Sequence, residues 1–81
     1  MTVRVKLFAV ARELTGRDVL EITVPAGATV GGLRAALVVA APELEKVARH
    51  VMFAIGTEYA DDAQPLVEGV EVACIPPVSG G

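Results

Sequence analysis

Val3, Val5 and Leu7 alternate with Arg4 and Lys6. A period of two puts the three aliphatic side chains on one face of a strand and the two cations on the other. The alternation returns at Leu20, Ile22 and Val24, at Val51, Phe53 and Ile55, and at Val70, Val72 and Cys74. Between the second and third sets the period changes. Val30, Leu33 and Leu37 fall on one helical face, and Thr29 stands where a hydroxyl can cap the first turn. Two strands, a helix, then further strands is the order that any fold of this chain must satisfy.

The segments between these sets carry their own signals. Residues 10–16, VARELTG, read as one or two helical turns closed by a glycine cap at Gly16. Pro25–Gly27 is a turn, and Gly31 and Gly32 weaken the first turn of the main helix. Pro42 opens a separate short helix over 42–49, with Glu43 and Glu45 near its start and Arg49 near its end, as the helix dipole favours. Residues 57–65 read as a polar, turn-rich connection. Leu66 and Val67 read as a short strand before a turn at Glu68–Gly69. The expected class is α+β, on the plan of a ubiquitin-like β-grasp. That plan has a mixed sheet of four to five strands, one main helix across it and short additional helices. Its first and last strands are parallel central neighbours. The topology rests on analogy of element order.

Size and composition narrow the function. Eighty-one residues make one domain, and two Phe, one Tyr and no Trp leave the core to Val, Leu, Ile and Ala. Such a domain has no room for a deep pocket with several convergent side chains, so it is expected to work with a larger partner. The net charge is −3 and the seven basic residues are scattered, so no nucleic-acid footprint or membrane-binding surface is expected. Cys74 is the single cysteine, which excludes an internal disulfide and a cysteine-rich metal site. The N-terminal ten residues lack the unbroken apolar stretch of a signal peptide, and a cytoplasmic setting is expected.

Residues 1–75 read as the folded domain and 76–81, PPVSGG, as an extended tail. Pro76 and Pro77 cannot extend a sheet ladder and favour polyproline geometry. Gly80 and Gly81 have no Cβ and can lie in a channel too narrow for other residues. With Gly81 as the true C-terminus, the tail is a thin arm ending in a carboxylate. A carboxylate becomes a useful electrophile once activated, for instance by adenylation with ATP. Sulfur then gives a thiocarboxylate, and an amine gives an isopeptide bond. At about 7% glycine usage a Gly-Gly end arises in roughly one chain in 200 by chance, so the dipeptide alone settles nothing.

Three stretches settle more. VKLFAVARELTG (5–16), TVGGLRAAL (29–37) and PLVEGVEVACIPPVSGG (65–81) resemble the small subunit of molybdopterin synthase. The resemblance implies a sulfur carrier without catalysis of its own. Gly81 would be adenylated by an E1-like adenylyltransferase using ATP, then converted to a thiocarboxylate by a sulfurtransferase or cysteine desulfurase system. Its sulfur would pass to cyclic pyranopterin monophosphate in the large subunit, forming the dithiolene of molybdopterin, within a heterotetramer. Carried over residue by residue, Pro76, Pro77, Val78, Ser79 and Gly80 form the inserted tail. Phe8, Arg12 and Ile75 match positions at or near the partner surface. No cofactor or metal is expected on the chain itself. The sequence departs from the family at Gly56, Val70, Cys74 and Ile75.

Alternative readings remain at this point. A carrier for another pathway, such as thiamine biosynthesis, also ends in Gly-Gly. A ubiquitin-like protein modifier shares the activation step. Phe8 is either core or an interface anchor, and Arg12 either pairs with an acidic partner or sits on the surface. Cys74 reads as a small apolar strand residue, His50 as structural, and Asp61–Asp62 as solvated.

Overall fold

The computed structural model describes residues 1–77, and the expectations for Val78, Ser79, Gly80 and Gly81 lie outside the described residues. The elements are β1 (Thr2–Leu7), α1 (Ala9–Thr15), β2 (Val19–Thr23), α2 (Val30–Ala40), a 3-10 turn (Pro42–Leu44) running into α3 (Glu45–Ala48), β3 (Met52–Ile55), β4 (Glu58–Ala60) and β5 (Glu71–Ile75). The five strands form one mixed sheet in the order β2-β1-β5-β3-β4. β1 pairs antiparallel with β2 and parallel with β5, which pairs antiparallel with β3. The central parallel pair and the helix-bearing face are those of the β-grasp plan.

Register carries the sequence alternation into a single apolar face. Val3 lies opposite Ile22, Val5 opposite Leu20 and Val72, and Leu7 opposite Cys74, which faces Phe53 on its other side. All but Leu20 are buried. α2 lays Val30, Leu33 and Leu37 onto this face, each fully buried. Removing one such leucine from water is worth about 1.5–3 kcal/mol. The Thr29 hydroxyl accepts the Gly32 N–H at 3.3 Å, which closes the first turn of α2. Gly31 has a second role there. A Cβ at this position would stand 3.2 Å from Cβ of Asp62 and 3.3 Å from its carbonyl, where Gly31 N–H donates to that carbonyl at 3.0 Å.

Two expectations are corrected. Residues 57–65 are not only a connection, because Glu58–Ala60 forms β4 on the sheet edge. Gly56, at φ +64, and Thr57 make a two-residue hairpin turn between Ile55 and Glu58, and glycine at the first central position suits that geometry. Leu66 and Val67 do not form a strand. Leu66 is buried and its N–H donates to Ala28 at 2.9 Å, so it docks beside α2 while only Pro65 bridges to Thr29. The other signals hold: Gly16 caps α1 at φ +69, and the turn at Glu68–Gly69 has Gly69 at φ +82.

Arg34 ties these pieces together. Its guanidinium donates to the carbonyls of Ala48 (2.5 Å) and Val51 (2.6 Å), pairs with Asp62 at 2.8 Å and lies 4.9 Å from the Phe53 ring centroid. One side chain from α2 thus fixes the end of α3, the start of β3 and the loop after β4.

Candidate functional site

The chain reaches the tail along β5. Cys74 pairs with Leu7 of β1, and Ile75 pairs with Met52 of β3. Phe8 N–H donates to the Cys74 carbonyl at 3.3 Å, which carries contact with β5 one residue past β1. Pro76 then has no N–H to offer the ladder. It is buried while Pro77 is exposed, so the neck leaves the body between them.

Beside the neck the outer face of the sheet is apolar. Lys6, Ala73, Ala54 and Tyr59 form one cross-strand row, and Met52 and Ile75 form the next pair. Phe8, Ala54, Gly56, Thr57, Tyr59, Ala73 and Ile75 line an open hollow of about 410 Å³. Phe8 is 40% exposed and Tyr59 65%, in a chain with three aromatic residues. Lys6 Nζ lies 5.9 Å from the Phe8 ring centroid. The other end of this face is charged: Arg4 sits between Glu71 at 3.5 Å and Glu21 at 4.0 Å. A second hollow, of about 730 Å³, lies on the other side of the neck. Ala9, Val10 and Glu13 of α1, Val47 of α3, and Ile75, Pro76 and Pro77 line it. Ile75 borders both hollows.

The structure therefore gathers Phe8, Ile75, Pro76 and Pro77 around the root of the tail. Of the two readings of Phe8, the structure excludes the core one, since the ring is 40% exposed. Arg12 lines neither hollow; it pairs with Asp18 at 3.9 Å, with both side chains more than half exposed. Such a pair is worth at most about 1 kcal/mol. Tyr59 and Ala54 were not identifiable as site residues without β4, and the Gly56-Thr57 turn was the signal that would have placed them.

Among the described residues, Cys74, Asp61 and Asp62 are otherwise engaged. Cys74 is fully buried, and burial pushes its thiol up to about 11 against an opposing pull from the Arg34 charge. A thiol so shifted is a core side chain, not a nucleophile. Asp61 and Asp62 are occupied in the loop: Asp61 Oδ1 accepts Ala63 N–H at 2.9 Å, and Asp62 holds Arg34. Among the described residues no cluster of acids, histidine and cysteine could hold a metal ion. What the arrangement offers is an exposed apolar face with two prolines at its rim.

Residues 5–81 match the ThiS family. The chain belongs to that family. A molybdopterin synthase sulfur carrier subunit of Arabidopsis thaliana is 42% identical over 79 residues, covering 98% of this chain and 82% of that protein. Among solved structures, SAMP1 of Haloferax volcanii, a small archaeal modifier protein, superposes with a TM-score of 0.87 at 35% identity, covering the whole of both chains. A chain from the complex of subunits 1 and 2 of molybdopterin-converting factor from Helicobacter pylori superposes with a TM-score of 0.69 at 23% identity, covering the whole of both chains, a likeness of fold.

Proposed function

We propose that this chain is the sulfur-carrier small subunit of molybdopterin synthase, with Gly81 as its terminal, sulfur-bearing residue. The observation that carries the reading is the position of the neck. β5 runs out through Pro76 and Pro77 at the rim of an apolar face, so a partner seated on Phe8 and Ile75 receives the tail at the same time. The identity to the Arabidopsis carrier subunit supports the pathway.

The chemistry follows from the tail. A carboxylate is stabilised by resonance and resists attack. An E1-like adenylyltransferase joins the Gly81 carboxylate to the α-phosphate of ATP and releases pyrophosphate. The terminal sulfur of a persulfide, delivered by a sulfurtransferase or cysteine desulfurase system, displaces AMP, and a thiol reductant cleaves the resulting acyl disulfide to leave a thiocarboxylate. The slim Gly80 and Gly81 then enter the large subunit, where the thiocarboxylate sulfur bonds to cyclic pyranopterin monophosphate and water cleaves the resulting thioester, leaving sulfur on the pterin and a carboxylate on Gly81. A dithiolene has two sulfurs, so two charged carriers are used per molybdopterin. Catalysis resides in the partners, and the chain is a covalent co-substrate acting in the cytoplasm. Reconstitution tests this. The thiocarboxylate form with large subunit and pterin should yield molybdopterin, and the carboxylate form should not. No product from the charged form would overturn the reading.

The likeness to SAMP1 is the observation behind one second reading. Activation is the same, but a lysine amine takes the acyl group. Gly81-linked lysine adducts on unrelated proteins in cell extract would support that role.

A further inference from the structure

Ala9 has a φ of +51, the one positive φ at a non-glycine residue among the described residues. An L-alanine in the left-handed region is strained by its own Cβ. The cause is local. Phe8 is extended (φ −124, ψ 157), its N–H bound to the Cys74 carbonyl and its carbonyl bound to Ala11 N–H at 3.1 Å. Ala11 is fully buried. Phe8 is pinned on both sides and the helix must begin at once, so Ala9 takes the whole change of direction.

The position of this strain matters. Phe8 lines the hollow on the sheet face, and Ala9 lines the hollow beside the neck. Ala9 itself is exposed and makes no core contact that would require the methyl group. Glycine would relieve the strain but would free the joint, and a free joint loosens the Ala11 N–H to Phe8 carbonyl bond, one of the two that pin Phe8.

We infer that Ala9 is a positioning residue: its left-handed backbone holds Phe8 in a docking-ready orientation on the partner face. The inference rests on the proposed docking of that face to the large subunit. Part of the affinity then comes from ordering Phe8 before the partner arrives. Loss of one preordered side chain weakens binding by about three- to tenfold.

The test uses the full-length carrier and the large subunit, with Kd from calorimetry and Tm from thermal unfolding. The first variant is Phe8→Ala. If it binds as tightly as wild type, the docking reading itself fails, and this inference with it. If it binds more weakly, two changes at Ala9 decide. Ala9→Gly should keep or raise Tm while Kd rises about three- to tenfold. D-Alanine at position 9, installed by chemical synthesis, prefers positive φ without the freedom of glycine, and should restore wild-type Kd. A purely structural role moves Tm alone. Unchanged Kd in Ala9→Gly, a fall in its Tm, or failure of D-alanine to restore binding would each overturn the inference while leaving the docking reading intact.

Discussion

The guanidinium of Arg34 lies 4.9 Å from the ring centroid of Phe53 and hydrogen-bonds two carbonyls, those of Ala48 and Val51, at the entry to the same strand. Arg34 is mostly buried, whereas its partner Asp62 is more than half exposed. The two ends of this clasp therefore differ in worth. Hydrogen bonds from a charged donor contribute about 1.5–3 kcal/mol, and an exposed ion pair at most about 1 kcal/mol. Arg34→Ala should lower Tm by about 10 °C or more in a domain this small, and Asp62→Ala by a few degrees only. Arg34→Lys should not rescue, since an ammonium cannot span both carbonyls and the ring as a planar fork does. Thermal unfolding of the three variants decides. Equal losses for Arg34→Ala and Asp62→Ala would place the stabilisation in the ion pair.

The pH dependence of folding should carry the mark of Cys74. Burial holds its thiol at about 11, against 9.0 for an unperturbed thiol. Between these values the unfolded chain has lost the proton and the folded chain keeps it, so the folded state binds more protons. Stability must then fall as pH rises from about 9 towards about 11, and the contribution is fully present below 9. Cys74→Val removes the titrating group and should flatten that slope. Denaturant midpoints at pH 8 and pH 10.5 measure it. The native thiol should also resist a disulfide reagent until the chain unfolds.

Phe8 and Phe53 make a matched pair for testing which aromatic belongs to the core. Phe53 is 1% exposed and Phe8 40%. Phe53→Ala should cost about 3–5 kcal/mol, a large share of the stability of a small domain. Phe8→Ala should leave folding nearly intact and weaken the large subunit by about tenfold or more, as a truncated interface anchor does. Tyr59→Ala, on the same hollow, should follow Phe8. Unfolding of Phe8→Ala, or tight binding by a folded one, would remove Phe8 from the docking face.

The strands were legible where the alternation was long. Val3-Val5-Leu7 and Val72-Cys74 each announce one buried face, and the structure puts Val5 beside Val72 and Leu7 beside Cys74 in parallel, while Val70 lies half-buried just before β5. β4 was not legible, because three residues, Glu58, Tyr59 and Ala60, are too few to show a period within a polar segment. Its existence depends on the turn at Gly56-Thr57 folding it back onto β3. Leu66 misled for the opposite reason. Its side chain fills the core, but its backbone bonds to Ala28 of the loop before α2. Arg34 and Ala9 gave no signal at all. A cation inside an apolar helix reads as surface until the carbonyls it meets are known, and alanine at the start of a helix reads as favourable until its φ is seen. Of the site, Phe8, Ile75 and the proline neck were named from the resemblance. Register brings Phe8 and Ile75 onto one apolar face, and the prolines line the second hollow beside it.

The tail glycines should tolerate nothing larger. Gly80→Val should leave folding unchanged and abolish sulfur delivery if, as proposed, the tail enters a narrow channel of the large subunit that a branched side chain would block. Molybdopterin yield from the reconstituted synthase reads this. Full yield from Gly80→Val would show that the channel has room to spare.

The most direct measurement is the intact mass of the protein taken from its own cells with its natural C-terminus. A sulfur carrier predicts a fraction heavier by one oxygen-to-sulfur exchange, mapped to the tail peptide. That fraction should vanish on mixing with the large subunit and cyclic pyranopterin monophosphate. Only the free carboxylate, even after an activating enzyme, ATP and a sulfur donor are supplied, would contradict the account.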